Sequence, residues 1–288
     1  LHRVDRRQRQ MCIRDRYGDA GHGPKAWVHA REGRLLRIEE ERAARAADTT
    51  LLISENEANL FRTRVTSMHQ IDLRVMRNGI DAQFFAPGAV VPQPTLYGPG
   101  PNIVFTGQMD YAPNVAAVER MVHRILPAIR ERCSSAEFHI VGRAPTAAVK
   151  ALGRQNGVTV WGEVSDVRPF IAEADLVAAP LTIARGIQNK VLEAMAMAKP
   201  VLLSPEAATG IDAEDGVHFT IAEGDRMMVG RALALFEDRA KARTMGQAAR
   251  AFVLDRQTWP AMLEGLGALM RPPHEKPMAQ SGPVRDAA

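Results

Sequence analysis

The segment 176–205, L-V-A-A-P-L-T-I-A-R-G-I-Q-N-K-V-L-E-A-M-A-M-A-K-P-V-L-L-S-P, constrains this chain more than any other. Two short apolar runs, 176–179 and 200–204, flank a stretch of strong helix formers at 187–197. The pattern is a βαβ unit, whose parallel strands must be covered on both faces. A helix opening near Gly186 offers free backbone N–H groups and the positive end of a dipole, which together seat a phosphate. The loop brings Gly186, Ile187, Gln188 and Asn189 to that start, with Lys190 just behind them. Glu193 stands seven residues past Gly186, about 10 Å along a helix axis. A carboxylate there only accepts hydrogen bonds and suits both hydroxyls of a ribose. The spacing predicts a seat for a nucleotide diphosphate.

From residue 102 onward, short apolar runs alternate with helical stretches. Strands are expected at 103–106, 138–141, 158–161, 176–179 and 201–204. Helices are expected at 114–132, 146–155, 167–172, 187–197, 226–237, 239–253 and 259–269. This alternation predicts an α/β fold with a parallel sheet between helices. Ligands in such folds collect beyond the carboxyl ends of the strands. Gly107, Gly142, Gly162 and Gly186 all fall there. Upstream, 27–47 reads as an amphipathic helix and 49–53 and 73–76 as short strands, with Ser54 capping a helix through 62. Residues 87–100 hold four Pro and three Gly and read as a linker. Residues 271–288 read as a disordered tail.

Several segments carry a family likeness in their order and spacing. They are F-T-G-Q-M-D-Y-A-P-N (105–114), I-V-G-R-A-P (140–145), W-G-E-V-S-D-V-R-P (161–169), A-P-L-T-I-A-R-G-I-Q-N-K-V-L-E-A-M-A (179–196) and T-G-I-D-A-E-D-G (209–216). With R-N-G-I-D-A-Q-F-F-A-P (77–87), the chain resembles GT-B glycosyltransferases of family 4. More narrowly, it is similar to the sugar transferases associated with PEP-CTERM/exosortase systems. The resemblance implies one complete Rossmann-like domain at 101–270 for a nucleotide sugar donor. It also implies a remnant of the N-terminal, acceptor-side domain at 17–86. The implied activity is retaining hexosyl transfer from a nucleotide diphosphate sugar to a glycan or lipid-linked acceptor in exopolysaccharide synthesis. It implies no cofactor beyond the donor and no metal, and a cytoplasmic protein with peripheral contact at the inner membrane.

By the same resemblance, Gly107 admits the diphosphate or acceptor, and Glu163 and Val164 meet the base through their backbone. Gly186 to Asn189 offer N–H groups and Glu193 takes the ribose; from their own charge, Lys190 and Arg185 are read as partners of the phosphates and Arg143 as reaching the nucleotide. Each has a plainer reading. Glu193 pairs with Lys190 at i, i+3 on a solvated face, Gly186 is a loop glycine, and Arg143 solvates a turn. The family's Glu-x7-Glu pattern is broken, because Arg185 stands at the first acid. The family's Arg and Lys after the first strand are replaced by Gln108 and Asn114.

Charge excludes one class of partner. Of 37 basic and 33 acidic residues, six Arg and two Asp fall in residues 1–16, so the remainder balances at 31 of each. A basic end on a neutral body argues against nucleic-acid binding. Residues 1–16 have neither periodicity nor an apolar core, and M-C-I-R-D-R resembles translated adapter sequence. A non-native leader and an upstream truncation are therefore expected, and with them nucleotide binding with poor turnover. Without the leader, Cys133 is the single thiol, which supports neither a disulfide nor a metal framework. The histidines show no metal-ligand spacing. Two alternatives stand beside glycosyl transfer: a nucleotide-sugar epimerase of GT-B fold, and a non-catalytic nucleotide-sugar binding protein.

Overall fold

The computed structural model of the protein describes residues 24–90, 96, 98, 100–184 and 186–270. The expected leader and tail, seven residues of the expected linker and Arg185 lie outside the described residues. The chain opens with helix α1 (Pro24–Ala46), strand β1 (Thr50–Leu52), helix α2 (Glu55–Arg64) and strand β2 (Leu73–Val75). Ser54 caps α2 as expected: its Oγ accepts the Glu57 N–H at 3.2 Å, satisfying a donor with no partner inside the helix. β1 and β2 pair in parallel, Thr50 opposite Leu73, over a small cluster of Ala44, Phe61 and Ile71.

The remaining elements alternate as the sequence predicts. They are β3 (Asn102–Thr106), α3 (Ala112–Arg120), α4 (Leu126–Arg132), β4 (Glu137–Val141), α5 (Ala147–Leu152), β5 (Val158–Gly162), α6 (Arg168–Glu173), β6 (Leu176–Ala179), α7 (Asn189–Ala196), β7 (Val201–Leu203), α8 (Pro205–Ala208) and β8 (Thr220–Ile221). After them come α9 (Gly224–Glu237), α10 (Arg239–Arg256), α11 (Trp259–Leu263) and α12 (Leu266–Leu269). Six strands form one parallel sheet in the order β5-β4-β3-β6-β7-β8. Every residue of β3, β6 and β7 is buried, which is why these strands read as unbroken apolar runs. The chain runs outward from β3 to β5, then returns to β6 on the other flank of β3. That reversal opens a crevice at the carboxyl ends of β3 and β6.

Four expectations need correction. The helix expected at 114–132 is interrupted by a π turn, Met121–Ile125, in which the Leu126 N–H reaches Met121 O. Pro127 supplies the cause, since its ring clashes with the carbonyl four residues back and it has no N–H to donate. The helix expected from 187 begins at Asn189 instead. The 259–269 helix breaks around Gly265 into α11 and α12. β8, two residues long, carried no recognisable apolar run and was not expected.

Described residues on either side of and within the expected linker pack on the larger sheet. Ile80 and Ala82 belong to the main core, and the Ile80 N–H donates to Gln257 O at 2.7 Å. The Arg168 guanidinium lies 3.7 Å over the Phe84 ring and donates to Phe84 O at 3.1 Å. In the Pro/Gly-rich stretch, Leu96 is buried and its N–H donates to Glu173 Oε2 at 3.0 Å. Among the described residues no helix is long and apolar enough to cross a membrane.

Candidate functional site

Three glycines end the strands that border the crevice. Gly107, Gly142 and Gly162 follow or close β3, β4 and β5 with φ of 156°, 150° and 73°. A Cβ on Gly142 would lie 1.7 Å from Gly107 O, so these two loops touch backbone to backbone. A Cβ on Gly107 would lie 2.8 Å from Asn114 Nδ2 and 3.0 Å from Lys190 Nζ. Glycine here keeps the floor of the crevice low enough for side chains from two helices to meet over it.

The loop from β6 to α7 is held from outside. Pro180 O accepts from Arg120 Nη1 at 3.2 Å and Leu181 O from Ser204 Oγ at 2.6 Å. Gly186 has φ 67° and sits beside Ile53 and Glu57. Ile187 is buried, and its Cγ1 lies 3.1 Å from where a Gly210 Cβ would be. Ile187 thus lies buried against the T-G-I-D segment, and α7 starts two residues later than expected. Gln188 is extended, and its Nε2 donates to Gly186 O at 3.2 Å. The Val191 N–H bonds back to Gln188 O at 2.9 Å. Measured from Asn189, Glu193 is about 6 Å along the axis rather than the expected 10 Å from Gly186.

Leu192, Ala194, Met195 and Ala196 bury one side of α7, which turns Lys190 and Glu193 together toward the crevice. Lys190 Nζ donates to Asn114 Oδ1 at 2.6 Å and lies 4.1 Å from the Phe105 ring centroid. The residue is half-buried, with its ammonium held between the Asn114 amide and the Phe105 ring. Burial pulls its pKa down to about 7, against the opposing pull of the Glu193 carboxylate. Burial also raises the Glu193 carboxyl, and Lys190 offsets part of that rise. Arg143, exposed at the rim, donates from Nη2 to Gln108 Oε1 at 2.9 Å.

The crevice encloses about 480 Å³, the size of a small-molecule site. Of the residues singled out in the sequence, Gly107, Arg143, Glu163, Val164, Ile187, Asn189, Lys190 and Glu193 all line it. Gly186 and Gln188 do not, and Arg185 lies outside the described residues. Thr106, Gly142 and Val167 also line it, as do Gln108 and Asn114, which had been noted only for what they replace. Among the described residues, no group of His, Cys, Asp or Glu side chains could hold a metal ion. The arrangement is a polar crevice with one enclosed ammonium, one raised carboxyl and the first turn of a helix. It can bind an anion next to a group that needs a hydrogen-bond acceptor.

Residues 100–238 match the family model described as "Glycosyl transferases group 1". Among curated proteins, none matches the sequence. The fold is that of GT-B glycosyltransferase structures. The Anabaena protein HepE, solved with UDP and glucose, superposes with a TM-score of 0.66 at 18% identity, over 81% of this chain and 66% of that one. A sucrose-phosphate synthase from Thermosynechococcus elongatus gives 0.64 at 19% identity, over 81% and 60%. A glycosyltransferase from Rickettsia africae gives 0.63 at 15% identity, over 77% and 62%. The chain thus spans about three-fifths of the length of the last two structures.

Proposed function

We propose that the protein is a retaining glycosyltransferase of family 4 type, moving a hexosyl group from a nucleotide diphosphate sugar to a glycan or lipid-linked acceptor. The observation that carries this reading is the pairing of Lys190 and Glu193 on one face of α7, at the crevice beyond the strand ends. In the reaction the anomeric C–O bond breaks, the diphosphate leaves with the electron pair, and the acceptor hydroxyl passes its proton to a departing phosphate oxygen as the new bond forms. The Lys190 ammonium and the N–H groups of the first turn of α7 stabilise the departing charge without a metal. Preorganised stabilisation of this kind is commonly the largest catalytic contribution. Glu193 accepts from the ribose hydroxyls, which fixes the anomeric carbon relative to the acceptor. Gly107 admits the diphosphate, and Glu163 and Val164 meet the base through backbone groups. Arg143 adds positive charge at the rim, and the charge of Arg185 suits the same diphosphate. The setting is exopolysaccharide synthesis in the cytoplasm, with peripheral contact at the inner membrane.

A thermal-shift series with UDP-, GDP- and dTDP-sugars tests the reading. At a hundred times Kd, the matching nucleotide adds about 2.7 kcal/mol and raises Tm by roughly 5–10 °C. Glu193→Ala should weaken that nucleotide about tenfold or more, the loss of charge-assisted hydrogen bonds. No shift with any of the three would remove the reading.

A further inference from the structure

We infer that Asn114 is a positioning residue: its side-chain amide holds the Lys190 ammonium over the carboxyl end of β3, ready for the diphosphate of the donor. The inference rests on the nucleotide-sugar reading of the crevice. Asn114 is buried in the first turn of α3. Its Nδ2 donates to Gln108 O at 2.9 Å, and its Oδ1 accepts from Lys190 Nζ at 2.6 Å. A carbonyl only accepts and an ammonium only donates, so these two neighbours fix which way the amide points. Lys190 comes from α7, on the other wall, and its stem reaches across to Phe105 of β3. Gly107 leaves room for the meeting, since any Cβ there would crowd both Asn114 Nδ2 and Lys190 Nζ. A free lysine side chain has much rotamer entropy to lose on meeting a ligand. Here that loss occurs on folding, and the charge waits in place.

The neutrality of the amide matters as much as its reach. A carboxylate at position 114 would hold the ammonium equally well, but it would cancel the charge and repel a diphosphate. It would also set one oxygen against Gln108 O. The other ionisable groups lining the crevice are Glu193 on the same helix, Arg143 after β4 and Glu163 after β5. Among these, Glu193 is the one that acts on the titration of Lys190.

Two variants of the full chain, Asn114→Ala and Asn114→Asp, separate these roles. Two readouts apply: the Lys190 titration by NMR of ¹³C-labelled lysine, with Lys190→Met identifying the signal, and calorimetric Kd values for UDP, GDP and dTDP. Asn114→Ala removes an acceptor from the charged form, so the Lys190 midpoint should fall below its wild-type value near 7. Asn114→Asp should raise it toward the ordinary lysine range. Nucleotide affinity should nevertheless fall about tenfold in both, with the aspartate variant at least as weak as the alanine one. General damage to the fold would not move the midpoint in opposite directions. If Asn114→Ala does not fold, the near-isosteric aspartate carries the test, read on protein whose unfolding transition matches that of the wild type. Wild-type binding with unchanged affinity in the variants would overturn the positioning role while leaving the nucleotide reading intact. If the midpoints shift but the wild type binds none of the three nucleotides at millimolar concentration, the donor reading fails and the positioning role with it.

Discussion

The described residues form two parallel sheets, and these are held together very differently. In the six-stranded sheet, β3, β6 and β7 are buried along their whole length, inside a core that includes Phe105, Phe138, Ile103 and Ile140. In the two-stranded sheet, no residue of β1 or β2 is fully buried, and three side chains make up the buried cluster. Its helix α1 leaves Trp27, Leu35 and Ile38 67%, 46% and 55% exposed. Two strands with so little apolar cover are marginal on their own. Every residue lining the crevice comes from the larger sheet, the loops that follow its strands and the helices packed on it. The smaller unit meets this region through Ile53 and Glu57 beside Gly186, and through the Arg77–Asp212 ion pair. The binding chemistry thus sits on the rigid body, and the marginal body borders it.

The strongest challenge to this division is Gly142→Ala. The methyl would sit 1.7 Å from a backbone oxygen, at a φ of 150° that side-chain-bearing residues rarely adopt. Neither partner is a flexible side-chain tip, so the strand ends must separate. The expected cost is about 3 kcal/mol or more, read as a drop in the main unfolding transition together with loss of nucleotide affinity. A variant with near wild-type Tm and Kd would mean that the carboxyl ends of β3 and β4 are not the firm floor described above.

Acid should distinguish the two sheets as well. Across the larger one, Asn102, His139 and Trp161 form a buried line on three neighbouring strands. Trp161 Nε1–H donates to His139 Nδ1 at 3.3 Å, which leaves Nε2–H to donate to Asn102 Oδ1 at 3.0 Å. This line requires the neutral ring. Burial takes the His139 pKa from 6.5 down to about 4, despite the Glu137 carboxylate 3.7 Å from Nε2. The unfolded chain then binds the proton first, so the contribution is complete above pH 6.5. It is lost as pH falls from 6.5 toward 4, by roughly 3 kcal/mol in all. In the smaller sheet region the sensitive groups are Glu41, lowered chiefly by its hydrogen bond from Arg45, and Asp72, lowered chiefly by that from Arg74. Their contributions persist down to pH 4.5 and fail only below the ordinary carboxyl values of 4.5 for Glu41 and 3.8 for Asp72. Urea unfolding at pH 7 and pH 4.5 should show the loss in wild type and a smaller one in His139→Asn. Parallel losses in both would acquit His139.

The larger sheet was legible in the sequence because burial on both faces leaves a one-dimensional trace. Five of its six strands appear as apolar runs, and the glycines that follow them mark the crevice. Eight of the residues named from motifs line that crevice for the same reason: strand-end loops converge wherever the sheet closes. What remained hidden depended on tertiary contact. Ile187 is buried beside Gly210, just ahead of the α7 start, and a window on residues 186–197 carries no sign of that contact. The role of Asn114 could not be read from its place after β3, since its partner enters from a helix 76 residues away. Arg143 bonds Gln108 across two loops, a pairing of the same kind. The π turn at Met121 was more accessible, because Pro127 stands in the middle of the expected helix.

The smallest expected effect is the most direct probe of the division between the sheets. Phe61 is 9% exposed and forms the bulk of the small cluster with Ala44 and Ile71. Truncating a buried phenylalanine commonly costs about 3–5 kcal/mol, but here the loss should fall on a unit with little stability of its own. Phe61→Ala is therefore expected to abolish amide-exchange protection in β1, α2 and β2 while leaving the main transition within about 2 °C. Nucleotide affinity should change by less than about threefold, a residual effect passed through Ile53 and Glu57 to the Gly186 loop. A fall in the main transition matching that of Gly142→Ala would join the two sheets into one cooperative unit. The contacts at Arg77 and Gly186 would then transmit stability, and the smaller sheet would be a working wall of the site.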